Sequence, residues 1–234
     1  MVGTKGARPK AALLFSQKDK MNPHKYAIAI KSCHKHAARR QIQLDTWLEH
    51  CDDDFFFVLG RSPGLSLGQV DYVTYKDALM CDVSDDFKDI APKVLGAVQY
   101  SLEQNVTNLV VIDDDTYLCW PRLASSGFQK FDYLGFVRDY DDHVYMQGSC
   151  YSLSERAMER IMKNSHCMTN GIPDDVAVGR CLYGEVPFTH EHRFAVGVPY
   201  PESTCWPQKG NDAISAHKMH AAAMRTCHDG LVTV

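Results

Sequence analysis

Three consecutive aspartates, Asp113, Asp114 and Asp115, directly follow a short apolar run at residues 109–112. A few aliphatic residues bounded by polar ones predict a buried β-strand. Adjacent carboxylates repel one another and destabilise a fold unless a cation neutralises them. Ligands usually bind at the carboxyl ends of the strands of an α/β sheet. Three carboxylates at this position predict a site for a divalent metal that carries a phosphate ligand. A solvated acidic turn is the alternative interpretation.

The spacing of the aspartates limits the kinds of metal site that they could form. Asp113 and Asp115 are two residues apart, so in an extended segment both point to one side and can face a single hard cation such as Mg²⁺ or Mn²⁺. An EF-hand loop counted from Asp113 would need Gly and Glu where the chain has Leu118 and Ala124. An aspartyl-phosphatase motif would need its Thr one residue later than Thr116. Neither motif fits.

The residues around the aspartates predict alternating strands and helices. Strands are predicted at residues 26–31, 54–60, 70–75, 109–112, 133–137 and 144–153, and helices at 37–50, 87–102, 154–162, 174–183 and 213–225. Ser154 is expected to cap its helix. Strands alternating with helices are typical of an α/β domain whose mostly parallel sheet is covered on both faces.

Composition limits the class of protein. The chain has 234 residues, 45% hydrophobic and 23% charged, which suits one soluble α/β domain preceded by a flexible lead-in at residues 1–23. Its net charge of −4 does not favour a nucleic-acid or anionic-membrane partner. The apolar stretches are too short for a membrane span.

Nine cysteines are scattered along the chain without a Cys-x-x-Cys pair. An odd number without a secretory signal favours reduced thiols in a cytosolic protein, and the spacing disfavours a cysteine zinc site. Cys167 and Cys181 are a candidate disulfide if the native compartment is oxidising.

Five stretches of the sequence together resemble one known family. They are residues 39–47, ending in Thr46 and Trp47; residues 85–93, ending in Lys93; residues 112–117, with the aspartates; residues 145–154, with the single glycine Gly148; and residues 172–179, containing Pro-Asp-Asp-Val-x-x-Gly. In this order they resemble the metal-dependent glycosyltransferases of family 31, which include galactosyl- and N-acetylglucosaminyltransferases and the Fringe proteins. The likeness extends over residues 26–224.

The resemblance implies a GT-A-type, Rossmann-like single domain at residues 24–234. Residues 24–117 would form the half that binds the nucleotide sugar, and residues 118–234 the half that binds the acceptor. The implied reaction is inverting transfer of a hexose, such as galactose or N-acetylglucosamine, from a UDP-sugar to a glycan hydroxyl. An inactive module that only binds a nucleotide sugar or carbohydrate is the alternative, and a metal-dependent phosphatase is a third possibility.

Site residues follow from the same motifs. The resemblance implies Asp115 and Asp113 as metal ligands and Asp114 as a contact to the donor. It gives Asp175 as the candidate base, with Asp174 next, although two aspartates after a proline also suit the N-terminus of a helix. A third metal ligand is expected at His217, with His190 and His192 as alternatives, and an imidazole ligand favours Mn²⁺ over Mg²⁺.

Further residues are expected to bind the donor or the acceptor. Lys31, Ser32, Arg40 and Lys93 match family positions near the nucleotide, although any one such lysine or arginine is more often a solvated helix charge. Tyr145, Trp120 and Trp206 offer aromatic faces to an acceptor sugar, whereas Trp47 is expected in the core. Golgi-anchored members of this family have an N-terminal membrane helix, which this sequence does not show; we therefore expect either a soluble cytoplasmic enzyme of microbial or viral type, or a soluble domain excised from a longer or Golgi-anchored protein.

Overall fold

The fold is given by a computed structural model of the chain, which describes residues 25–51, 53–61, 72–75, 77–195, 213–219 and 221–232. The strands are β1 Tyr26–Lys31, β2 Asp54–Leu59, β3 Tyr72–Tyr75, β4 Ala78–Cys81, β5 Asn108–Asp113, β6 Tyr117–Leu118, β7 Tyr133–Tyr140, β8 His143–Ser154, β9 Phe188–His190, β10 Phe194–Ala195 and β11 Ser215–Ala216. The helices are α1 Ala37–Leu44, α2 Ile90–Glu103, α3 Trp120–Ser125, α4 Glu155–Lys163, α5 Asp174–Leu182 and α6 Ala221–Val232. The predicted lead-in at residues 1–23 and Trp206 lie outside the described residues.

The main sheet has the strand order β3-β4-β2-β1-β5-β8-β7-β9. Strands β4, β2, β1 and β5 are parallel neighbours, and β7 and β9 run in the same direction, while β3 and β8 run the opposite way. The predicted mostly parallel sheet with flanking helices is therefore confirmed. A smaller sheet has the strand order β10-β11-β6, and its strand β6 follows the carboxyl end of β5 in the chain.

Both faces of the central strands are buried, as the continuous apolar runs of β1 and β5 require. In β1, Ala27 and Ala29 belong to one core and Ile28 and Ile30 to the other, because successive side chains point to opposite faces. The first core includes Val94 of α2, Met158 of α4 and Val178 of α5; the second includes Leu123 of α3, Met224 of α6 and Trp47. The predicted core position of Trp47 is confirmed.

Helix α1 is shorter than the predicted helix at residues 37–50. It ends at Leu44, and a separate 3₁₀ turn covers Trp47–His50. The hydroxyl of Thr46 donates to the carbonyl of Ile42 at 2.6 Å, and a side chain that binds back to the preceding turn competes with continued helix. The break turns Trp47 into the core.

The C-terminal part also departs from the sequence prediction. The predicted helix at 213–225 is wrong at its start, because residues 213–219 are not helical and α6 begins at Ala221. Ser215 and Ala216 pair with Leu118 and Tyr117, so tertiary pairing overrides the local preference of an alanine-containing segment. Strand β4, which the sequence analysis did not predict, adds to β2.

Two general predictions can be compared with the described residues. Cys167 and Cys181 form no disulfide with each other in the structure, and burial raises the pKa of Cys181 to about 12. No helix among the described residues is long and apolar enough to cross a membrane.

Candidate active site

The three aspartates lie where β5 ends, beside a cavity of about 400 Å³. This volume is within the usual range for a small-molecule site. The cavity opens at the carboxyl ends of β1 and β5, the position expected for ligands in an open α/β sheet. Its lining is Lys31, Ser32, Cys33, Lys35, His36, Arg39, Asp85, Phe87, Ile90, Lys93, Asp113, Asp114, Asp115 and His217.

Strand pairing brings His217 to the aspartates. Antiparallel pairing of β11 with β6 places Ser215 opposite Leu118 and Ala216 opposite Tyr117, so the next residue, His217, lies above the aspartate turn. The backbone N–H of Met219 donates to the carbonyl of Asp115 at 2.9 Å and holds the segment there.

Asp113, Asp115 and His217 form a compact set of possible metal ligands. Their ligand atoms lie within 4.8 Å of one another. Nε2 of His217 is 3.3 Å from Oδ2 of Asp113 and 3.1 Å from Oδ1 of Asp115. Two carboxylates and one imidazole suit Mn²⁺, so the residues present fit a divalent cation.

The pKa values of His217 and Asp113 depend on the charges around them. Burial lowers the pKa of His217, but its contacts with Asp113 and Asp115 outweigh burial and raise that pKa to about 9. Burial tends to raise the pKa of Asp113, yet Lys31 and His217 hold it below its usual value. The raised pKa favours the protonated form of the His217 imidazole between the two carboxylates at neutral pH.

Asp114 points away from this set and organises the first turn after β1. Its buried carboxylate accepts hydrogen bonds from the hydroxyl of Ser32 at 2.7 Å and from Nη1 of Arg39 at 3.0 Å, and it lies 2.8 Å from Nδ1 of His36. The same nitrogen of Arg39 is 3.5 Å from Oδ2 of Asp115. The predicted donor contact of Asp114 stays a prediction, while the geometry shows that it positions Arg39.

Lys31, the last residue of β1, is almost fully buried. Its ammonium donates to the carbonyl of Gly148 at 2.7 Å and to Oδ2 of Asp174 at 2.9 Å, and it pairs with Oδ1 of Asp113 at 3.0 Å. Although burial opposes a charge, the carboxylates of Asp113 and Asp174 raise the pKa of Lys31 above its ordinary value. Lys31 therefore connects β5, β8 and α5.

The two predicted acid–base residues occupy the first turn of α5, where the helix dipole favours negative charge. Asp174 is buried and accepts from Lys31 and from the hydroxyl of Tyr151 at 2.9 Å. Burial raises the pKa of Asp174 to about 6 despite the neighbouring Lys31. Asp175 is half-buried and accepts at Oδ2 from the backbone N–H of Gly148 at 2.8 Å. Asp175 is therefore more accessible to solvent than Asp174.

Gly148 lies between Lys31 and Asp175. A Cβ at this position would come within 3.0 Å of Oδ2 of Asp175 and 3.3 Å of Nζ of Lys31. Its backbone uses the carbonyl toward Lys31 and the N–H toward Asp175. A larger residue here would have to shift one of the two charged groups by a few tenths of an ångström, so the close approach favours glycine.

Of the other two predicted donor-binding residues, Lys93 lines the cavity and Arg40 does not. Lys93 is buried and donates to the carbonyl of Ser32 at 2.9 Å, with Asp85 at 3.6 Å. Arg40 lies outside the cavity lining, where it donates to the hydroxyl of Ser32 at 3.2 Å and to the carbonyl of Cys33. Its neighbour Arg39, which the sequence analysis did not choose, lines the cavity instead.

Gln43 was also missed by the sequence analysis. It is fully buried on α1, and Nε2 donates to the carbonyls of Thr116 at 3.1 Å and Asp113 at 3.4 Å. It therefore supports the turn that carries the aspartates. Its spacing of four residues from Arg39 is the signal that places both on one helix face.

The alternative histidines His190 and His192 and the described aromatic candidates Trp120 and Tyr145 do not line the cavity beside the aspartates. His190 accepts from the backbone N–H of Val137 at 3.2 Å, and His192 is 3.5 Å from Glu191. Within the described residues, neither joins the group formed by Asp113 and Asp115. Trp120 is buried and packs edge-on against Phe128. Tyr145 is half-buried on β8.

Comparison with solved structures agrees with the fold class. A crystal structure described as a glycosyltransferase involved in the glycosylation of the major capsid of PBCV-1 matches with a TM-score of 0.52 and 13% sequence identity. The match covers 87% of this chain and 98% of that chain. At this identity the likeness shows the fold alone: the mostly parallel α/β arrangement of a glycosyltransferase.

A family model described as Fringe-like matches residues 21–133. The resemblance predicted from the sequence is therefore confirmed over this part of the chain, which includes β1, β5 and the three aspartates. Asp175 and His217 lie beyond the matched residues. No curated protein matches the chain. Together, the family match and the shared fold support glycosyl transfer as the general role.

Proposed function

We propose that this chain is an inverting, metal-dependent glycosyltransferase that moves a hexose from a UDP-sugar to a glycan hydroxyl. The observation that carries the proposal is the meeting of Asp113, Asp115 and His217 at the carboxyl edge of the sheet, within 4.8 Å. The two aspartates and His217 come from distant parts of the chain, and the same edge carries Asp175. A metal set and a separate carboxylate are the two parts that such a reaction needs.

Asp113, Asp115 and His217 would hold the cation, for which Mn²⁺ is the preferred candidate. When bound, a divalent cation acts as a Lewis acid that stabilises negative charge on the departing nucleotide diphosphate. The family match supports this assignment for the aspartates, and the geometry extends it to His217.

Arg39 and Lys35 are suited to bind the diphosphate. Both line the cavity and are exposed to solvent. Arg39 meets Asp114 and Asp115 through Nη1 alone, and a guanidinium has further N–H groups that can bind phosphate oxygens. Because Asp114 fixes the position of Arg39, the guanidinium is held before the donor arrives.

Asp175 is the proposed base. The backbone N–H groups of Gly148 and Val176 donate to Oδ2 and Oδ1 at 2.8 and 2.9 Å, so the carboxylate is held in one orientation. Each oxygen has a second lone pair, which leaves a position for the acceptor hydroxyl. Asp175 would take the proton of that hydroxyl as its oxygen attacks the anomeric carbon, and the transition state would be oxocarbenium-like.

A panel of UDP-sugars tests the proposal. The purified chain is incubated with Mn²⁺ and each donor, with and without simple glycan acceptors, and free UDP and inorganic phosphate are measured. Release of UDP with at least one donor is expected. Binding of UDP without turnover of any donor would instead indicate a binding module, and release of inorganic phosphate would indicate a phosphatase.

The stereochemical part of the proposal has its own readout. The anomeric configuration of the transferred sugar, read by NMR, is expected to be opposite to that of the donor. Retention of configuration would refute direct attack assisted by Asp175.

A further inference from the structure

The ammonium of Lys31 is fully occupied by groups of the protein itself. An ammonium has three N–H donors. Lys31 directs them at the carbonyl of Gly148, Oδ2 of Asp174 and Oδ1 of Asp113, at 2.7, 2.9 and 3.0 Å. Binding to a donor phosphate would require one of these contacts to break inside a nearly closed environment, where an uncompensated charge is costly.

The carboxylate of Asp174 is likewise occupied. Both of its oxygens accept from Lys31, at 3.1 and 2.9 Å, and Oδ2 also accepts from the hydroxyl of Tyr151. Asp174 is only 4% exposed, so an acceptor hydroxyl has little access to it. This distinguishes it from Asp175, its neighbour in the sequence.

Gly148 joins this pair to the proposed base. Its carbonyl accepts from Lys31, and its N–H donates to Asp175. A continuous set of contacts therefore runs from Asp113 through Lys31 and Gly148 to Asp175, with Asp174 holding Lys31 from the helix side. These contacts join four elements, β1, β5, β8 and α5, that no short-range sequence signal brings together.

We propose that Lys31 and Asp174 are positioning residues that fix Asp175 relative to Asp113, and that neither touches the donor or the acceptor. The proposal rests on the proposed function in treating Asp113 as a metal ligand and Asp175 as the base. It replaces the family-based expectation that Lys31 binds the nucleotide and that Asp174 is a second base.

The test uses the full chain with Lys31→Met and, as a matched control, Lys25→Met. Lys25 precedes the other end of β1 and donates to the carbonyl of Gln104 at 3.1 Å, away from the cavity. At saturating Mn²⁺, Lys31→Met is expected to keep UDP affinity within about 3-fold and to lower kcat by more than about 10-fold, because misplaced groups slow chemistry rather than binding. Lys25→Met is expected to change neither quantity.

The double variant Lys31→Met/Asp174→Leu separates positioning from a purely structural role. Replacing a buried ion pair by apolar side chains often restores stability, so the double variant is expected to unfold at a higher temperature than Lys31→Met. Its kcat is expected to stay low, because the contact to Gly148 is still missing. Recovery of both stability and kcat would overturn the proposal.

Two other results would also overturn it. A loss of UDP affinity of more than about 10-fold with kcat unchanged would make Lys31 a phosphate ligand. Amide hydrogen exchange at Gly148 gives a readout that does not depend on activity, and faster exchange is expected in Lys31→Met but not in Lys25→Met. Unchanged exchange would refute the link to Asp175, whereas faster exchange in a chain that turns over no donor would uphold the link and refute the proposed function alone.

Discussion

Lys31 and Asp113 are register partners at the carboxyl ends of β1 and β5, and their charged groups meet at 3.0 Å. Their side chains share one face of the sheet because paired residues of adjacent strands point the same way. The sheet itself therefore sets the position of the first carboxylate of the aspartate run. Around this pair lie the possible metal ligands Asp115 and His217, the cavity beside the aspartates, and Asp175.

Asp115→Asn is expected to weaken Mn²⁺ binding by more than about 10-fold, since even substitutions in the outer shell of a metal site cost this much. The substitution keeps the size of the side chain but removes a charged ligand atom. Isothermal titration with Mn²⁺ measures the change. Asp139→Asn, at an exposed position of β7, is the matched control and is expected to bind Mn²⁺ like the wild type. Equal loss in both variants would refute a specific role for Asp115.

Asp175→Asn is expected to lower kcat by roughly 10²- to 10⁴-fold, the usual contribution of a general base. The amide can still accept from the N–H of Gly148, so the loop geometry and metal-dependent UDP affinity are expected to persist. Turnover and UDP affinity are measured on the same preparation. Full activity in Asp175→Asn would mean that another group takes the proton.

Mn²⁺ affinity is expected to rise with pH up to about 9. Contacts with Asp113 and Asp115 raise the pKa of His217 to about 9, so at neutral pH the imidazole carries a proton that a metal must displace. Below that pKa, the affinity is expected to rise by about tenfold per pH unit, and above it this dependence disappears. Titrations in buffers of different ionisation enthalpy report the released proton.

The same experiment has an internal check in His217→Gln. This variant has no proton to release at position 217, so the pH dependence that His217 contributes is expected to vanish while the affinity falls. An unchanged slope in His217→Gln would show that the proton comes from another group.

Gly148→Ala is expected to reduce kcat by more than about 10-fold because the added Cβ would lie 3.0 Å from Oδ2 of Asp175 and must displace it. Steady-state kinetics give the change. In an Asp175→Asn background the same substitution is expected to have a much smaller effect, since two changes in one set of contacts are not additive. Strict additivity would indicate that Gly148 acts through another part of the site.

The strands and helices that follow from local pattern were predicted from the sequence. Apolar runs predicted β1, β2 and β5, and the amphipathic period predicted α2. The expected cap of α4 is present, since the hydroxyl of Ser154 accepts from the N–H of Ala157 at 3.2 Å. These features depend on residues that are close in the sequence, so the sequence carries the information directly.

Features that depend on tertiary pairing were not predictable in the same way. Strand β11 forms because Ser215 pairs with Leu118, which lies nearly one hundred residues earlier in the chain. The local propensity of the segment around Ser215 favoured a helix instead. The choice between Arg39 and Arg40 depended on the rotation of α1, which buried Gln43 fixes and the sequence does not display. The family motifs pointed to Lys31, but only the structure shows that its three donors are used within the protein.

The dependence of turnover on a divalent cation tests the central claim most directly. The rate of UDP release from the donor that the panel identifies is measured before chelation with EDTA, after it, and after Mn²⁺ is restored. The account predicts that EDTA abolishes UDP release and that Mn²⁺ restores it in the wild type, with little recovery in Asp115→Asn. Undiminished turnover in EDTA would contradict the assignment of Asp113, Asp115 and His217 as a catalytic metal site.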